Sequence, residues 1–431
     1  MTVIHRLRLW LGCFSLLGLL ITTTNVQAIP AFARQTDLPC TACHNGNFPA
    51  LNSFGRQFKL SGYVLSAINK VTQTSSATSS SQLSLVGIPP MSAMVQVSST
   101  HNSKSQPNQQ NNDVQFPDQL SLFFGGSVTP DIGLFVQLTH SQGDAGFTMD
   151  NADVRMAQST TLGEDHSLTY GVDLNNNPTV EDLWNSTPVW SFPWASSSVA
   201  PSATAAPFIE SLGQNVAGLG TYGMLDNTYY ADVALYRSAF VNGTVGSTNT
   251  IDNAAPYWRL AWQHNFDNSY LMIGTYGIYA KVYPQAQATS SGNGIGGPTS
   301  RYFDRAVDFQ YEMPFAGPNN SLIVHGNYTD EARTDLDGSG NYSQGQDGRW
   351  KTGRIDTEFN IDSRWRPAIA WFNTTTGNDN LNNSGFIGEI SVFPWENLDL
   401  SIQYRDYTKF DGTTTKASDN NSLYLLAWLV I

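Results

Sequence analysis

Ser92-Ala93-Met94-Val95-Gln96-Val97-Ser98 and Gly133-Leu134-Phe135-Val136-Gln137-Leu138-Thr139 decide the fold class. In the first, Ala93, Val95 and Val97 alternate with Ser92, Met94, Gln96 and Ser98; in the second, Leu134, Val136 and Leu138 alternate with Gly133, Phe135, Gln137 and Thr139. Successive side chains of a strand point to opposite faces, so apolarity of period two marks a sheet with one apolar face. The pattern returns at 167–173, 229–239, 257–266, 270–282, 306–312, 322–328, 355–364, 387–393, 398–407 and 423–431. In the last of these, Leu423, Leu425, Ala427, Leu429 and Ile431 form one apolar face, like a barrel's terminal assembly signal.

Turn chemistry links these strands into hairpins. Asp226-Asn227, Asp267-Asn268, Gly317-Pro318-Asn319-Asn320 and Glu396-Asn397 are short connections, and they alternate with long polar loops at 102–113, 285–299 and 330–350. Short turns at one end and long loops at the other are the pattern of outer-membrane barrels. Trp258, Trp262, Trp395, Tyr404 and Tyr407 stand near strand ends, where interfacial aromatic girdles form. Beyond residues 1–28 no run reaches the ~18 apolar residues of a spanning helix, and a closed barrel is the other structure that satisfies its backbone inside a membrane. The expectation is therefore an all-β, transmembrane antiparallel barrel of about 16 strands. A soluble β-sandwich also alternates, but the number of strands and the apolar terminal strand argue against it.

Residues 1–28 read as a secretory signal. Arg6 and Arg8 precede an apolar stretch from Leu9 to Ile21, and Val26-Gln27-Ala28 is a small-residue cleavage site. Cys13 lies within the apolar stretch and is expected to leave with it. Residues 29–66 form a distinct segment, and 67–431 is assigned to the barrel. In the segment, Pro49 is placed at a first helical position, Leu51, Phe54 and Phe58 recur on one face, and Gly62 can close the helix with positive φ. Roughly 38 residues are too few to build a core of their own, so this piece must dock on something larger.

Within it lies Cys40-Thr41-Ala42-Cys43-His44, the spacing of c-type haem attachment. Two thiols at i and i+3 lie on one side of a helical turn, where they can add to two vinyl groups, and the next residue offers an imidazole to iron. A redox dithiol would be expected in a βαβ context. A zinc site would want four ligands, and the next histidine is His101. A bare disulfide leaves His44 unexplained. The reading is one covalent haem c, with Cys40 and Cys43 as thioethers and His44 as proximal iron ligand. Export and haem attachment belong to the same compartment, the periplasm.

The formal net charge of −13 makes the chain a poor nucleic-acid binder and an attractor of cations. No acid lies within residues 1–28, so loss of Arg6 and Arg8 leaves the exported chain still more acidic.

Two stretches carry a family resemblance. Pro30-Ala31-Phe32-Ala33-Arg34-Gln35-Thr36, Cys40 to His44 and Phe48-Pro49-Ala50-Leu51-Asn52-Ser53-Phe54-Gly55-Arg56-Gln57-Phe58-Lys59 resemble the N-terminal segment of the fused monohaem cytochrome–porins of iron-oxidising bacteria. The run Asn175-Asn176-Asn177-Pro178-Thr179-Val180-Glu181-Asp182-Leu183-Trp184-Asn185-Ser186-Thr187-Pro188 is similar to segments of these and related outer-membrane cytochromes. The resemblance implies a short α-helical haem plug inside a barrel in the outer membrane of a Gram-negative bacterium. It further implies electrons taken from extracellular Fe(II), or another donor, and passed to a periplasmic cytochrome or copper protein. A channel whose haem segment is structural or gating, and a periplasmic soluble cytochrome with a β-sandwich domain, are the alternatives.

A distal iron ligand from the wall must share strand parity with polar, lumen-facing residues. Met94 does so with Ser92 and Gln96, Met149 with Asn151, Asp153 and Arg155, and His325 with Asn327; Met313 shares parity with Phe309 and Tyr311 and is expected to face lipid. Arg34, Arg56 and Lys59 are expected either at haem propionates or at luminal acids such as Asp153. Asp335, Asp337 and Asn341 faintly resemble a calcium loop, but Gln346 stands where a bidentate Glu belongs, so an exposed loop is the better reading.

Overall fold

The computed structural model describes residues 31–65, 90–107, 110–187, 191–203, 205–241, 244–245, 250–283, 297–317, 319–336 and 348–431. The signal, the 67–89 connection, and Asp337, Asn341 and Gln346 lie outside the described residues.

Sixteen antiparallel strands make the wall. They are β1 Met91–Asn102, β2 Val114–Ser127, β3 Ile132–Ser141, β4 Thr148–Leu162, β5 His166–Asn175, β6 Val216–Leu225, β7 Tyr229–Ser238 and β8 Ala255–Phe266. Then come β9 Ser269–Tyr283, β10 Ser300–Pro314, β11 Ser321–Thr334, β12 Gly348–Asn360, β13 Trp365–Thr375, β14 Asn383–Trp395, β15 Leu398–Lys409 and β16 Ser422–Val430. Each pairs with its sequence neighbours, and β1 pairs with β16 from Met94↔Val430 to Asn102↔Ser422, so the ring closes. Closure leaves the wall no free edge, and the β-sandwich alternative is overturned. The two-residue strand Thr250–Ile251 pairs with Tyr283 and Val282.

The alternation appears in the wall as two opposite surfaces. Leu174, Leu219, Val233, Leu235, Ile273, Val307, Ile369, Ile390 and Ile402 are exposed outward, whereas Asp153, Arg155, Asp173, Arg259, Asp308, Glu358 and Arg366 are buried inward. An apolar belt around a polar lumen inverts the usual soluble arrangement, because the solvent outside is hydrocarbon. The protein thus has the architecture of a transmembrane β-barrel. The short turns at 128–131, 163–165, 226–228, 267–268, 361–364 and 396–397 define one end, the periplasmic one. Asp226 and Asn227 take φ of 53° and 49°, as the tight hairpin requires.

Several sequence expectations change. The reading of 355–364 as one strand overruns: β12 ends at Asn360, and 361–364 is a turn. Tyr407, expected in a girdle, is buried in the lumen, where its hydroxyl donates to the Pro201 carbonyl at 3.2 Å. Met149 faces outward. A register shift between Gln137 and Leu138 pairs Asn151 with Gln137 but Met149 with Leu138, so a bulge at Asp150 flips the parity, and Met149 is 51% exposed.

Candidate functional site

The N-terminal segment fills the periplasmic end of the lumen. Helix α1 is Ala31–Thr36, α2 is the single turn Cys40–Cys43, and α3 is Ser53–Leu60. Pro49 does not start α3 as expected. Asn52 caps it, its Oδ1 accepting from Gly55 N at 3.0 Å, and Gly62 ends it with φ 69°. The Asn52 amide also donates to the carbonyls of Thr41, Ala42 and His44 at 3.3, 3.0 and 3.3 Å, which locks the cysteine turn onto α3. Gly55 lets the two approach, since a Cβ there would lie 2.1 Å from the Cys43 carbonyl oxygen. The sequence reading missed both positions, although a glycine inside an apolar-periodic helix is a visible signal.

Cys40 and Cys43 are unpaired and half-buried. Burial and Glu396 push the Cys40 thiol up to about 11, and burial raises Cys43. A redox dithiol needs a depressed thiol, so these cysteines are poorly set for exchange chemistry. His44 Nδ1 lies 3.1 Å from the Pro49 carbonyl, a contact that orients the ring. Burial lowers the imidazole to about 4, so it is neutral, the state in which a histidine ligates iron. The Cys40 amide donates to Glu396 Oε2 at 3.4 Å in the β14–β15 turn, which places the motif at the periplasmic rim.

Aromatic and ionic contacts seat the plug. Phe32 packs on Phe58, Tyr63 and Phe135, and Phe48 meets Phe393 and Trp428 edge to face. Arg366 donates to the Phe48 carbonyl at 2.7 Å. Arg56 pairs with Glu312 at 2.5 Å over the Tyr270 ring, and Lys59 donates to the Asp182 carbonyl at 2.7 Å. Burial pushes Lys59 down to about 8. Arg34 donates to the Met91 carbonyl. Asp153 is luminal as expected, but its partners are Arg155 at 2.7 Å and the Tyr63 hydroxyl at 2.5 Å. Among the three basic plug residues, Arg56 keeps a buried Nη2 with no hydrogen-bond partner.

Gly133 offers a clean test of docking. A Cβ there would sit 2.1 Å from the Gly62 carbonyl oxygen, a backbone atom with no room to yield. Gly133→Val should keep a heat-modifiable barrel but loosen the plug by about 1–3 kcal/mol, the usual cost of overpacking. Trypsin should then cut at Arg56 and Lys59, which are 4% and 7% exposed in the docked segment. A tryptic pattern identical to wild type would contradict this seating.

A second element crosses the lumen. The insert between β5 and β6 carries α4, Pro178–Glu181, within the Asn175-to-Pro188 run, which starts on the last residue of β5 and is described through Thr187. Asp182 accepts from the amides of Trp184, Ser186 and Thr187 at 3.0, 2.8 and 3.0 Å, so its carboxylate folds the turn. Trp184 Nε1 donates to the Tyr270 hydroxyl at 2.5 Å, and Trp194 Nε1 to Glu358 at 3.1 Å. Farther on, Gln403 reaches the Ala195 carbonyl at 2.9 Å, and the Phe208 amide donates to Glu331 at 2.5 Å. The plug below and the insert above thus share the lumen.

Of the distal candidates, Met94 and His325 face inward, each 3% exposed, and Met149 does not. Met94 pairs with Val430, two residues from the Trp428 that packs on Phe48, so it lies at the plug's end of β1. His325 Nδ1 lies 2.8 Å from Asp356, and its ring meets Trp194. Met313 is on the outward parity, as expected.

No protein-family model matches the chain, and no curated protein matches it in sequence. Among solved structures, it is similar to Salmonella typhi OmpF in complex with daunomycin, with TM-score 0.49 and 12% identity over 79% of this chain and 97% of that one. It is also similar to the outer-membrane channel DcaP of Acinetobacter baumannii, with TM-score 0.47 and 12% identity over 79% and 96%. For a loop-deletion mutant of Vibrio cholerae OmpT the figures are 0.45, 8%, 79% and 98%. The fold rests on the closed strand pairing and the two-faced wall rather than on these likenesses; on that ground it is a closed 16-stranded β-barrel of the transmembrane kind.

Proposed function

We propose that the protein is an outer-membrane c-type cytochrome built into a porin-like barrel, passing electrons from an extracellular donor, Fe(II), to a periplasmic cytochrome or copper protein. The observation that carries this reading is the Cys40-to-His44 turn, with its two unpaired thiols and a neutral imidazole oriented through Nδ1 by a backbone carbonyl. These residues fit haem c. Cys40 and Cys43 would hold it covalently and His44 would take the iron, while Met94, inward at the same end, is the leading sixth ligand and His325 the second. When bound, haem c supplies a one-electron iron couple. Arg56 Nη2, buried without a partner, is the plug's available donor for a propionate. The half-buried cysteines at the rim favour delivery to a soluble carrier on the periplasmic side.

The test adds Fe(II) to the oxidised, haem-loaded protein and follows the α-band of the reduced form. Rapid reduction at the working pH is expected; none would remove iron oxidation from the reading. The competing channel reading is favoured by the barrel alone. It predicts rapid solute leakage through liposomes, whereas a lumen held by plug and insert predicts little.

A further inference from the structure

Asp173 on β5, Glu181 at the end of α4 and Asp232 on β7 meet inside the lumen, each with a carboxylate oxygen within 4.8 Å of the others. They are 2%, 0% and 1% exposed. Each has one oxygen already engaged. The Asn175 amide donates to Asp173 Oδ1 at 2.7 Å and to Glu181 Oε1 at 2.5 Å, and the Tyr230 hydroxyl donates to Asp232 Oδ2 at 3.3 Å. The second oxygen of each, Asp173 Oδ2, Glu181 Oε2 and Asp232 Oδ1, is buried with no hydrogen-bond donor outside the cluster.

The nearest cation does not fill that gap. Arg155 gives Nε to Asp153 at 2.7 Å and Nη2 to the carbonyls of Val180 and Glu181 at 3.4 and 3.2 Å. Among the described residues no ion pair within 4 Å joins any of the three carboxylates to a basic side chain, unlike Asp308 and Asp399, which meet Arg259 and Arg366 at 2.6 and 2.9 Å. The facing strand supplies space, because residue 220 is glycine. A Cβ there would come within 2.8 Å of Asp173 Oδ2 and 3.0 Å of Glu181 Oε1.

Three buried carboxylates at this spacing repel one another unless something positive lies between them. We propose that they hold one hard divalent cation of the Ca2+ and Mn2+ class, which staples the insert to the wall strands β5 and β7. The donors are all oxygen, which selects such ions over zinc or copper, and no nitrogen or sulfur ligand lies in the set. Glu181 belongs to the insert and the other two to the wall, so the ion would clamp one to the other. The inference is independent of the haem reading.

The test uses the full-length protein in detergent, stripped with EDTA and titrated with Mn2+ at pH 7.5. The electron-spin resonance signal of free Mn2+ should fall by one equivalent per chain, Ca2+ should compete, and the unfolding temperature should rise on loading. Asp232→Asn should weaken Mn2+ binding at least about tenfold, while Glu389→Gln, at a luminal acid away from the cluster, should leave it unchanged. If Asp232→Asn does not give a heat-modifiable barrel, the wild-type titration decides alone. No uptake of Mn2+ or Ca2+ by wild type up to about 1 mM, a weak limit for oxygen-ligand sites, overturns the proposal and leaves protons as the compensating charge. Undiminished uptake in a folded Asp232→Asn barrel overturns it as well.

Discussion

Replacing Cys40 and Cys43 together by serine should abolish covalent haem while leaving a folded, heat-modifiable barrel. The expectation separates cofactor from fold because of where the two side chains stand. Their turn is held by Asn52 through three backbone carbonyls and by the close approach of Gly55, none of which involves a sulfur atom. The wall closes through β1 and β16 without help from the plug. Serine is nearly isosteric with cysteine, so the local packing survives and only the nucleophile is lost. Haem released by denaturation in acidified organic solvent should rise from none of the wild-type haem to all residual haem, and haem staining of gels should fall to background. Single variants should retain one thioether and a weaker stain. His44→Ala should behave differently: the haem that Cys40 and Cys43 would hold should stay covalently attached, with a spectrum shifted by the loss of the imidazole that would bind its iron. Covalent haem in the double serine variant would falsify the attachment site.

Much of this architecture was legible because its solvent is lipid. The apolar parity of Leu134, Val136 and Leu138 reports a wall facing hydrocarbon, and the short turns report the end where hairpins close. What escaped reading has local causes. In β6 the inward residues include Gly218 and Gly220, which make room for the Tyr236 ring and for the Asp173 and Glu181 carboxylates. The glycines that the packing needs also erase strand propensity from the sequence. Strand β2, with Pro117 and Asp118 in it, likewise hides its pattern, β12 runs in the sequence into the turn after it, and β13, which opens on Trp365-Arg366-Pro367, carries no strand signal of its own. Met149 was misplaced because a bulge has no signature in composition, yet shifts every residue beyond it by one face. The Cys40-to-His44 spacing is visible in the sequence as a motif, but not the Asn52 clamp that positions its turn. The insert was recognised only as a resemblant stretch. Its passage through the lumen depends on pairing Asp182, Trp184 and Glu210 with wall residues far away in sequence, information that no local pattern contains.

The largest structural effect is expected at Arg259, the bolt between insert and wall. Its Nη2 lies 2.6 Å from Asp308 and 3.2 Å from Asp182, and all three side chains are fully buried. The guanidinium also stands over the rings of Trp184 and Tyr276, at 5.2 and 5.4 Å from their centroids. Asp182 folds the insert's turn through three amides, so Arg259 acts on that turn through the carboxylate that shapes it. Arg259→Met keeps much of the volume but leaves Asp182 and Asp308 buried without a cation, a loss of about 3–5 kcal/mol by the behaviour of broken buried pairs. The barrel hydrogen bonds do not pass through this side chain. The loss should therefore appear as release of the insert: the unfolding midpoint falls by several degrees, and liposomes carrying the variant leak small solutes that wild type retains. Adding Asp308→Asn removes one of the stranded charges and should recover part of the loss, a coupling that a merely bulky defect would not give. An Arg259→Met barrel with wild-type stability and no added leakage would show that the insert is held in the lumen by its other contacts alone.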